Sequence, residues 1–370
     1  MSRLPGKRAR PVLRGLRRGD APELPDWKPY FYLLEDALPV MLVNAHDARN
    51  MPGRKTDVSD AAWLADLGAH GLLRGSLVPP APIRELRDLT RARTALTHDR
   101  ARQVQRIEKI LEDAGIKLSS VATDIMGVSG RAMLEALIAG QDTPAAMADL
   151  AKRRMRSKIP ALTEALTGRF TPHHGYMIRM HLTLIDQYGQ ALADLDERIE
   201  AAMTPFAAAR ELLTSIPGVS RIVAEVVLAE TGADMSVFPT AGHLASWAGT
   251  APGSNESAGR VKSTKTRPGN RYLKAALGTA AMAAARAKGT YLSAKYRRIA
   301  ARRGPMKALV AVEHSILTAM WNMLTNGEFY RDLGADYYTA RQPTRTKAKA
   351  ISQLETLGYR VTLEPLTQAG

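Results

Sequence analysis

The sequence predicts a mainly α-helical protein with a small α/β part near its start. Apolar residues recur at helical spacing from Ile83 to Leu111, and Ala-rich helical stretches continue to about Leu324. The short apolar run from Leu38 to Ala45 has the pattern of a buried strand. The chain has 370 residues, of which 45% are hydrophobic, so it is long enough for two or three domains.

The charge balance predicts a polyanionic partner. Lys and Arg number 52 against 36 Asp and Glu, which gives a net charge of +16 and a pI near 10.1. Nucleic acid is the first candidate and an anionic membrane surface the second. No stretch reaches the roughly 18 apolar residues of a spanning helix, and we expect no membrane association. The chain has no cysteine, which excludes disulfides and thiolate sites and fits a cytoplasmic protein.

Changes in composition divide the chain into five predicted segments. Residues 1–26 form a basic arm that we expect to be disordered. Residues 27–80 contain a short helix, the strand, and a loop that leads into a second helix. Residues 81–206 form a helical, coiled-coil-like spacer that we expect to mediate homo-oligomer assembly. Residues 207–335 form a C-terminal domain, and residues 336–370 a basic tail whose first half we expect to be mobile.

Two carboxylates, Asp57 and Asp60, stand where "RKTDVSDAAWLA" enters a helix. Their spacing is typical of a helix cap, in which acidic groups also suit the helix dipole. Spacing alone favours this interpretation, but it also allows two carboxylates on one helical turn to share a hard divalent cation such as Mg²⁺. A metal site of this kind needs further carboxylates from elsewhere in the chain, so spacing alone leaves both interpretations open.

The stretch "SIPGVSRIVAEVVLAETG" has the pattern helix, tight turn, helix, with Pro217 and Gly218 in the turn. In a helix-hairpin-helix, amides at such a turn bind a phosphate without reading sequence, which makes Gly218 a candidate nucleic-acid contact. An ordinary αα-hairpin packed in a core has the same pattern. The basic net charge favours the DNA-binding interpretation.

The small-residue loop from Gly249 to Gly269 offers two candidate nucleophiles, Ser257 and Ser254. A serine hydroxyl is a weak nucleophile, and attack on a phosphodiester requires nearby cations, a metal or a base. The cations expected to reach a phosphate backbone are Lys262, Lys265, Arg267, Arg271 and Lys274. The alternative is a flexible, solvated basic loop.

Taken together, these stretches resemble the transposases of the insertion sequence 110 group, the 116/110/902 family. The resemblance runs from "DWKPYFYLLE" through "GRKTDVSDAAWLADLGAHGLLRGSLVPP" and "IPGVSRIVAEVVLAETG" to "LGADYY". It implies an N-terminal RuvC-like, ribonuclease H-type domain with four acids, in the order Asp, Glu, Asp, Asp, that bind Mg²⁺. It also implies a C-terminal domain whose serine links covalently to DNA, and a guide RNA encoded by the element.

Carried over by position, Asp57 and Asp60 match the third and fourth acids of the family, and Ser257 in "NESAGR" matches the serine. Ser254 is the second choice for the serine.

The first two acids of the family have no clear counterpart in this sequence. Ala21 falls where the family has its Glu, and Asp20 or Glu23 would replace it only in a shifted register. The opening strands of the family are also not recognisable. We therefore expect an incomplete RuvC-like domain in which residues 1–80 are poorly packed.

The predicted function is that of a DNA transposase or recombinase that acts on the ends and target of an insertion element. Strand cleavage and exchange would use Mg²⁺ and the serine, with an RNA guide and a dimeric or tetrameric assembly. The alternative is a truncated, catalytically dead remnant that only binds DNA or RNA.

Overall fold

A computed structural model describes most of the chain, namely residues 28–43, 60–73, 75–140, 143–253 and 255–363. Contacts divide the chain into two units, residues 1–80 and 81–370. The predicted arm at residues 1–26 lies outside the described part.

The described part of the first unit contains two short helices, α1 (Lys28–Leu34) and α2 (Asp60–Ala69). Helix α1 buries none of its residues, and Tyr30 and Leu33 are more than two-thirds exposed. Both helices occur where the sequence predicts them.

The predicted strand from Leu38 to Ala45 is wrong over its described part. Residues 38–43 form only an isolated antiparallel bridge, from Val43 to Gly75. A strand requires a continuous hydrogen-bonded partner, and Pro39 has no N–H to donate to a ladder. Over residues 38–43 the apolar run is therefore irregular backbone that ends in one bridge to Gly75.

The second unit is built from helices and one two-stranded hairpin. Its first helices are α3 (Ala81–Asp113), α4 (Leu118–Val121), α5 (Val128–Ala139), α6 (Pro144–Asp149), α7 (Ile159–Ala165) and α8 (Pro172–Met203). Further along the chain follow α9 (Ala207–Thr214), α10 (Arg221–Thr231), α11 (Ala241–Trp247), α12 (Arg271–Arg286), α13 (Tyr291–Arg303), α14 (Pro305–Asn326), α15 (Tyr337–Arg341) and α16 (Pro343–Thr356). Short 3₁₀ helices lie at Arg153–Lys158, Thr204–Phe206 and Met235–Val237. The strands are β1 (Asn255–Ser257) and β2 (Arg260–Ser263).

The long helices α3 and α8 pack along each other and form the framework of the predicted spacer. The apolar stripe of α3 ends in Ile107 and Leu111, which join Ile178, Leu182 and Ile185 of α8 in one buried cluster. These side chains recur every three or four residues, so each helix presents one apolar face to the other.

Helix α12 packs against α10 and α14 through a face of small side chains. This face consists of Leu273, Leu277, Ala280, Ala281 and Ala284, all fully buried. Because alanine projects little beyond the backbone, neighbouring segments approach α12 closely.

Gly218 uses this close approach. Its φ is +92°, in the left-handed region, and a Cβ at this position would lie 2.5 Å from the amide nitrogen of Ala284 and 2.6 Å from the carbonyl oxygen of Ala280. The turn between α9 and α10 therefore requires glycine for two reasons, the backbone conformation and the contact with α12.

Helix α10 is buried over almost its whole length, from Val223 to Thr231, and it includes two buried glutamates. Such carboxylates need cationic partners, because an isolated charge in an apolar interior is strongly unfavourable. Glu225 accepts a hydrogen bond of 2.7 Å from the buried Arg93 of α3, which also donates to Asp196 of α8 at 2.9 Å.

Glu230 has no exposed side-chain surface and joins three segments. Arg91 of α3 donates two hydrogen bonds to its carboxylate, at 2.7 and 2.8 Å, and the Nε of Arg87 lies 3.3 Å away. The side-chain amide of Asn270 donates to the same carboxylate at 2.5 Å. Burial by itself would lower the pKa of Arg91, but its hydrogen bonds and charge pairing with Glu230 outweigh that effect and raise the pKa.

The tail contains more secondary structure than the sequence predicts. Its first half forms most of α16, from Pro343 to Thr356. Proline at the start of this helix has no amide to leave unpaired, and no glycine or further proline follows within the helix, so the segment has a helical composition.

We expect Gly218→Ala to destabilise the protein by about 2 kcal/mol or more, because the new Cβ meets backbone atoms that cannot move independently. Gly289→Ala is the matched control, since Gly289 also has a positive φ (+74°) but has no atom within 4 Å of a built Cβ. That control should cost only about 1 kcal/mol. Urea unfolding measures both changes, and equal losses would contradict the contact with α12.

We expect Glu230→Gln to cost about 3–5 kcal/mol of unfolding free energy, because the change leaves two arginines facing a neutral group in a buried site. Glu135→Gln, which removes a partly exposed carboxylate paired with Arg131 on α5, should cost about 0.5 kcal/mol or less. A loss at Glu230 as small as that at Glu135 would show that the buried network does not hold α3 to α10.

Candidate nucleic-acid interface and serine hairpin

Ser257 lies at the end of β1, beside the turn of an antiparallel hairpin. β1 and β2 are connected by Ala258 and Gly259, whose φ values are +51° and +72°. Positive φ at both turn positions is typical of the type I′ turn that closes two-residue hairpins. Ser257 is exposed. A left-handed alanine is strained by roughly 1 kcal/mol or more, and strain of this kind is common at functional sites.

The hairpin register places Arg260 directly opposite Ser257. Paired residues in an antiparallel ladder project from the same face, with Cβ atoms roughly 5 Å apart. The hydroxyl and the guanidinium are therefore neighbours on one exposed face. The next pair, Glu256 and Val261, projects from the opposite face.

Two glycines fix the base of the hairpin to its neighbours. A Cβ on Gly249 would lie 2.7 Å from the carbonyl oxygen of Arg267, and one on Gly269 would lie 2.2 Å from that of Ala248. The backbone at Ala248–Gly249 and the backbone at Arg267–Gly269 therefore lie in direct contact. Gly253 adds a hydrogen bond from its amide to the carbonyl of Lys265, at 3.2 Å. The loop predicted between Gly249 and Gly269 is thus an anchored hairpin.

The five predicted phosphate-binding cations follow one another from β2 into α12. Lys262 is the unpaired residue of a register shift in β2, while Lys265 and Arg267 are exposed between β2 and α12. The other two of the five cations are Arg271 and Lys274. Among the residues that the structure describes, none of the five forms an ion pair.

Arg271 and Lys274 both lie on the first turn of α12. The guanidinium of Arg271 is 4.9 Å from the ring centre of Tyr272 and donates a 3.0 Å hydrogen bond to its hydroxyl. Lys274 is half-buried and acts on Glu313 of α14, whose pKa burial raises and the charge of Lys274 partly lowers. Lys274 is therefore the least available of the five cations.

Asn270 connects this segment to the core. Its side-chain oxygen accepts hydrogen bonds from the amides of Tyr272 and Leu273 and so caps α12. Its side-chain nitrogen donates to the buried Glu230. Because Asn270 makes both contacts, the first turn of α12 is fixed in position relative to the buried Glu230.

The side chains of the two predicted metal ligands lie outside the described part of the structure. Asp57 lies outside the described residues, and the structure gives only the backbone of Asp60, the first residue of α2. Ser254 also lies outside the described residues. Over the described ranges, no group of three or more His, Asp or Glu side chains is placed to hold a metal. The metal assignment stays a prediction.

Gly218 has one face against α12 and an amide that makes no hydrogen bond to any residue in the described part of the chain. The next helix, α10, is capped by Ser220, whose hydroxyl accepts from the amide of Val223 at 3.3 Å. The packing against α12 is that of an αα-hairpin, while the unused amide leaves phosphate binding as a prediction.

Two features of this region were missed in the sequence. The pairing of Arg260 with Ser257 has no strong sequence signal, because Ala-Gly is not among the dipeptides typical of two-residue hairpin turns. In addition, the segment from Ser257 to Val312 has no Asp or Glu but has 14 Lys and Arg, six of them up to Lys274 and eight beyond it. The excess of positive charge beyond Lys274 indicates that the basic surface extends past this residue.

Comparisons with known proteins match two family models along the chain. A model of the "Transposase IS116/IS110/IS902 family" matches residues 210–297, which include the serine hairpin, and the DEDD transposase model of IS110 elements matches residues 23–116. No helix in the described ranges is long and apolar enough to cross a membrane.

Two curated relatives align with most of the chain. The "Insertion element IS110 uncharacterized 43.6 kDa protein" of Streptomyces coelicolor is 29% identical over 75% of this chain and 73% of its own length. The "Insertion element IS900 uncharacterized 42 kDa protein" of Mycobacterium paratuberculosis is 28% identical over the same shares of both chains. Both family models match in their order along one chain, and together with these relatives they support an IS110-family transposase.

Proposed function

We propose that this transposase cleaves and exchanges DNA strands through a covalent bond between Ser257 and DNA. The observation that carries the proposal is the hairpin register, which sets an exposed serine hydroxyl opposite Arg260 at the start of a segment without carboxylates. A phosphodiester that approaches this face meets a nucleophile and a cation together. The substrates are the ends of the element and its target DNA.

The chemistry is a transesterification at phosphorus. The Ser257 oxygen attacks the phosphorus and forms a phosphoserine ester, while the bond from phosphorus to one DNA sugar oxygen breaks. The serine proton passes to solvent or to a base, and the released DNA oxygen takes up a proton. Arg260 stabilises the charge that develops on the non-bridging oxygens. Attack by a hydroxyl of the second DNA strand on the same phosphorus reverses the step and joins the strands.

The DEDD domain implies the use of a divalent metal. We propose Mg²⁺, with Asp57 and Asp60 as two of its ligands in a RuvC-like domain; carboxylate oxygens are the ligands that Mg²⁺ prefers. When bound there, the ion would stabilise negative charge on a phosphate or a leaving oxygen.

Further contacts would hold the nucleic acid and the assembly in place. We propose that the free amide of Gly218, in a helix-hairpin-helix, binds a backbone phosphate, and that a guide RNA encoded by the element is a second nucleic-acid partner. We also propose that α8 contributes to a homo-oligomer. Tyr176 and Met180 lie one helical turn apart on it and are 70% and 40% exposed.

The serine assignment is tested by the formation of protein-linked DNA. Incubation with element-end DNA, the flanking transcript and Mg²⁺ should give a covalent adduct on a denaturing gel. Ser257→Ala should abolish the adduct and Ser254→Ala should retain it. Loss in Ser254→Ala alone would move the nucleophile to Ser254. If the wild-type chain binds DNA in a salt-sensitive way but gives no adduct, it is a binding protein without strand-transfer activity.

The role of Arg260 is tested by the rate of adduct formation under saturating DNA. Arg260→Ala should slow the reaction by about 10²–10³-fold, the usual effect of removing one charge-stabilising donor. Arg260→Lys should restore part of this rate. Lys262→Ala removes the same charge from the same strand but away from Ser257, and it should weaken binding without slowing the saturated rate. Equal slowing in both alanine variants would contradict a specific role for Arg260.

A further inference from the structure

Helix α13 carries a basic surface that is separate from the serine hairpin. Its exposed arginines are Arg297, Arg298, Arg302 and Arg303, here called the α13 basic face. Within the described ranges, none of them forms an ion pair. The nearest carboxylates in sequence are Glu256 on one side and Glu313 on the other.

Within the described ranges, a cation–π contact with Tyr338 occupies Arg298, while no hydrogen bond or ion pair involves Arg297, Arg302 or Arg303. Like charges one turn apart on a helix, such as Arg298 and Arg302, repel each other. Cations in the last turn, where Arg302 and Arg303 lie, are favoured by the helix dipole, but Arg297 lies in the middle of α13, where that effect has faded. The face is therefore arranged to meet negative charge from outside the chain.

The opposite side of α13 holds the helix firmly in the fold. Leu292 and Ser293 are buried, and α13 packs against both α12 and α14. The hydroxyl of Ser293 donates to the carbonyl of Ala285 in α12, at 3.2 Å. The arginines thus project from a rigid, packed element.

A cluster of three tyrosines, formed by the first residue of α13 and two residues of α15, indicates which part of a nucleic acid fits. Tyr338 stacks on Tyr291 with ring centres 5.6 Å apart, and Tyr337 packs edge-on against both. The guanidinium of Arg298 covers the ring of Tyr338 at 4.4 Å. Tyr338 is engaged by Tyr291 and by Arg298 within the protein, so its ring is not a free platform on which unpaired bases would stack. The surface supplies charge to a phosphate backbone.

We propose that the α13 basic face binds the phosphate backbone of duplex DNA without reading its sequence. It would form a second DNA contact, apart from the hairpin where cleavage takes place. This inference rests on the proposed function in one respect, that DNA is the substrate. Its chemical basis is the complementarity between unpaired arginines on a helix and a regular array of phosphates.

The test measures how binding to a short DNA duplex of random sequence depends on salt. Each phosphate contact contributes about 0.9 to the slope of log K against log salt concentration for duplex DNA. The double variant Arg297→Ala and Arg302→Ala should lower the slope by about 1.8. Alanine is a strong helix former, so the variant should keep α13 folded, which circular dichroism checks.

The matched control is the double variant Arg179→Ala and Arg198→Ala. Both arginines are exposed on helix α8 and form no ion pair within the described chain, so the control removes the same net charge from another helix. Its slope should equal that of the wild type. An equal decrease in both double variants would overturn the proposal in favour of a general effect of net charge, and no decrease in either would overturn it outright.

Parallel titrations use a single-stranded DNA and a hairpin RNA. A decrease confined to the RNA would assign the face to RNA and overturn the choice of duplex DNA. The Ser257 adduct assay separates this proposal from the proposed function. An adduct that still forms while the duplex slope stays unchanged rejects the α13 face alone. A wild-type chain that binds no DNA and gives no adduct rejects both.

Discussion

The second unit depends on two buried carboxylates, Glu225 and Glu230, in a helix surrounded by other elements. Neither can be charged in the interior without a partner, and α3 supplies arginines to both, Arg93 to one and Arg87 with Arg91 to the other. These pairs set the rotation and height of α10 against the long helix of the spacer. Apolar packing alone allows sliding, whereas a bidentate arginine pair has one geometry.

The same constraint reaches the proposed site through a short chain of contacts. Glu230 also accepts from Asn270, which caps α12 and lies within the run of cations from Lys262 to Lys274. At the other end of that segment, Gly249 and Gly269 bring two backbone stretches into contact. The serine hairpin is thus held between a glycine crossing and a buried ion pair. A serine nucleophile held on such a fixed support loses less conformational freedom when DNA binds.

Charge is sorted by depth along the C-terminal half of the chain. Glu225 and Glu230 form ion pairs in the interior. The segment from Ser257 to Val312 contains no carboxylate that could neutralise its surface cations. The cations of such a surface repel one another in the free protein, and a bound polyanion reduces this repulsion. The arrangement costs stability and favours binding, as expected of a protein whose substrate carries a regular array of phosphates.

The sequence by itself determined the helical class, the long helix from about Ile83 to Leu111, the glycine turn at Gly218 and the family, because periodicity, turn residues and long motifs are local signals. Only the tertiary structure decided the partners of Glu230, since Arg91 lies 139 residues away in the chain. It also corrected the described part of the predicted strand, residues 38–43, because an apolar run becomes a strand only when another segment pairs with it. The opposition of Ser257 and Arg260 likewise depends on register, which pairing fixes and composition does not.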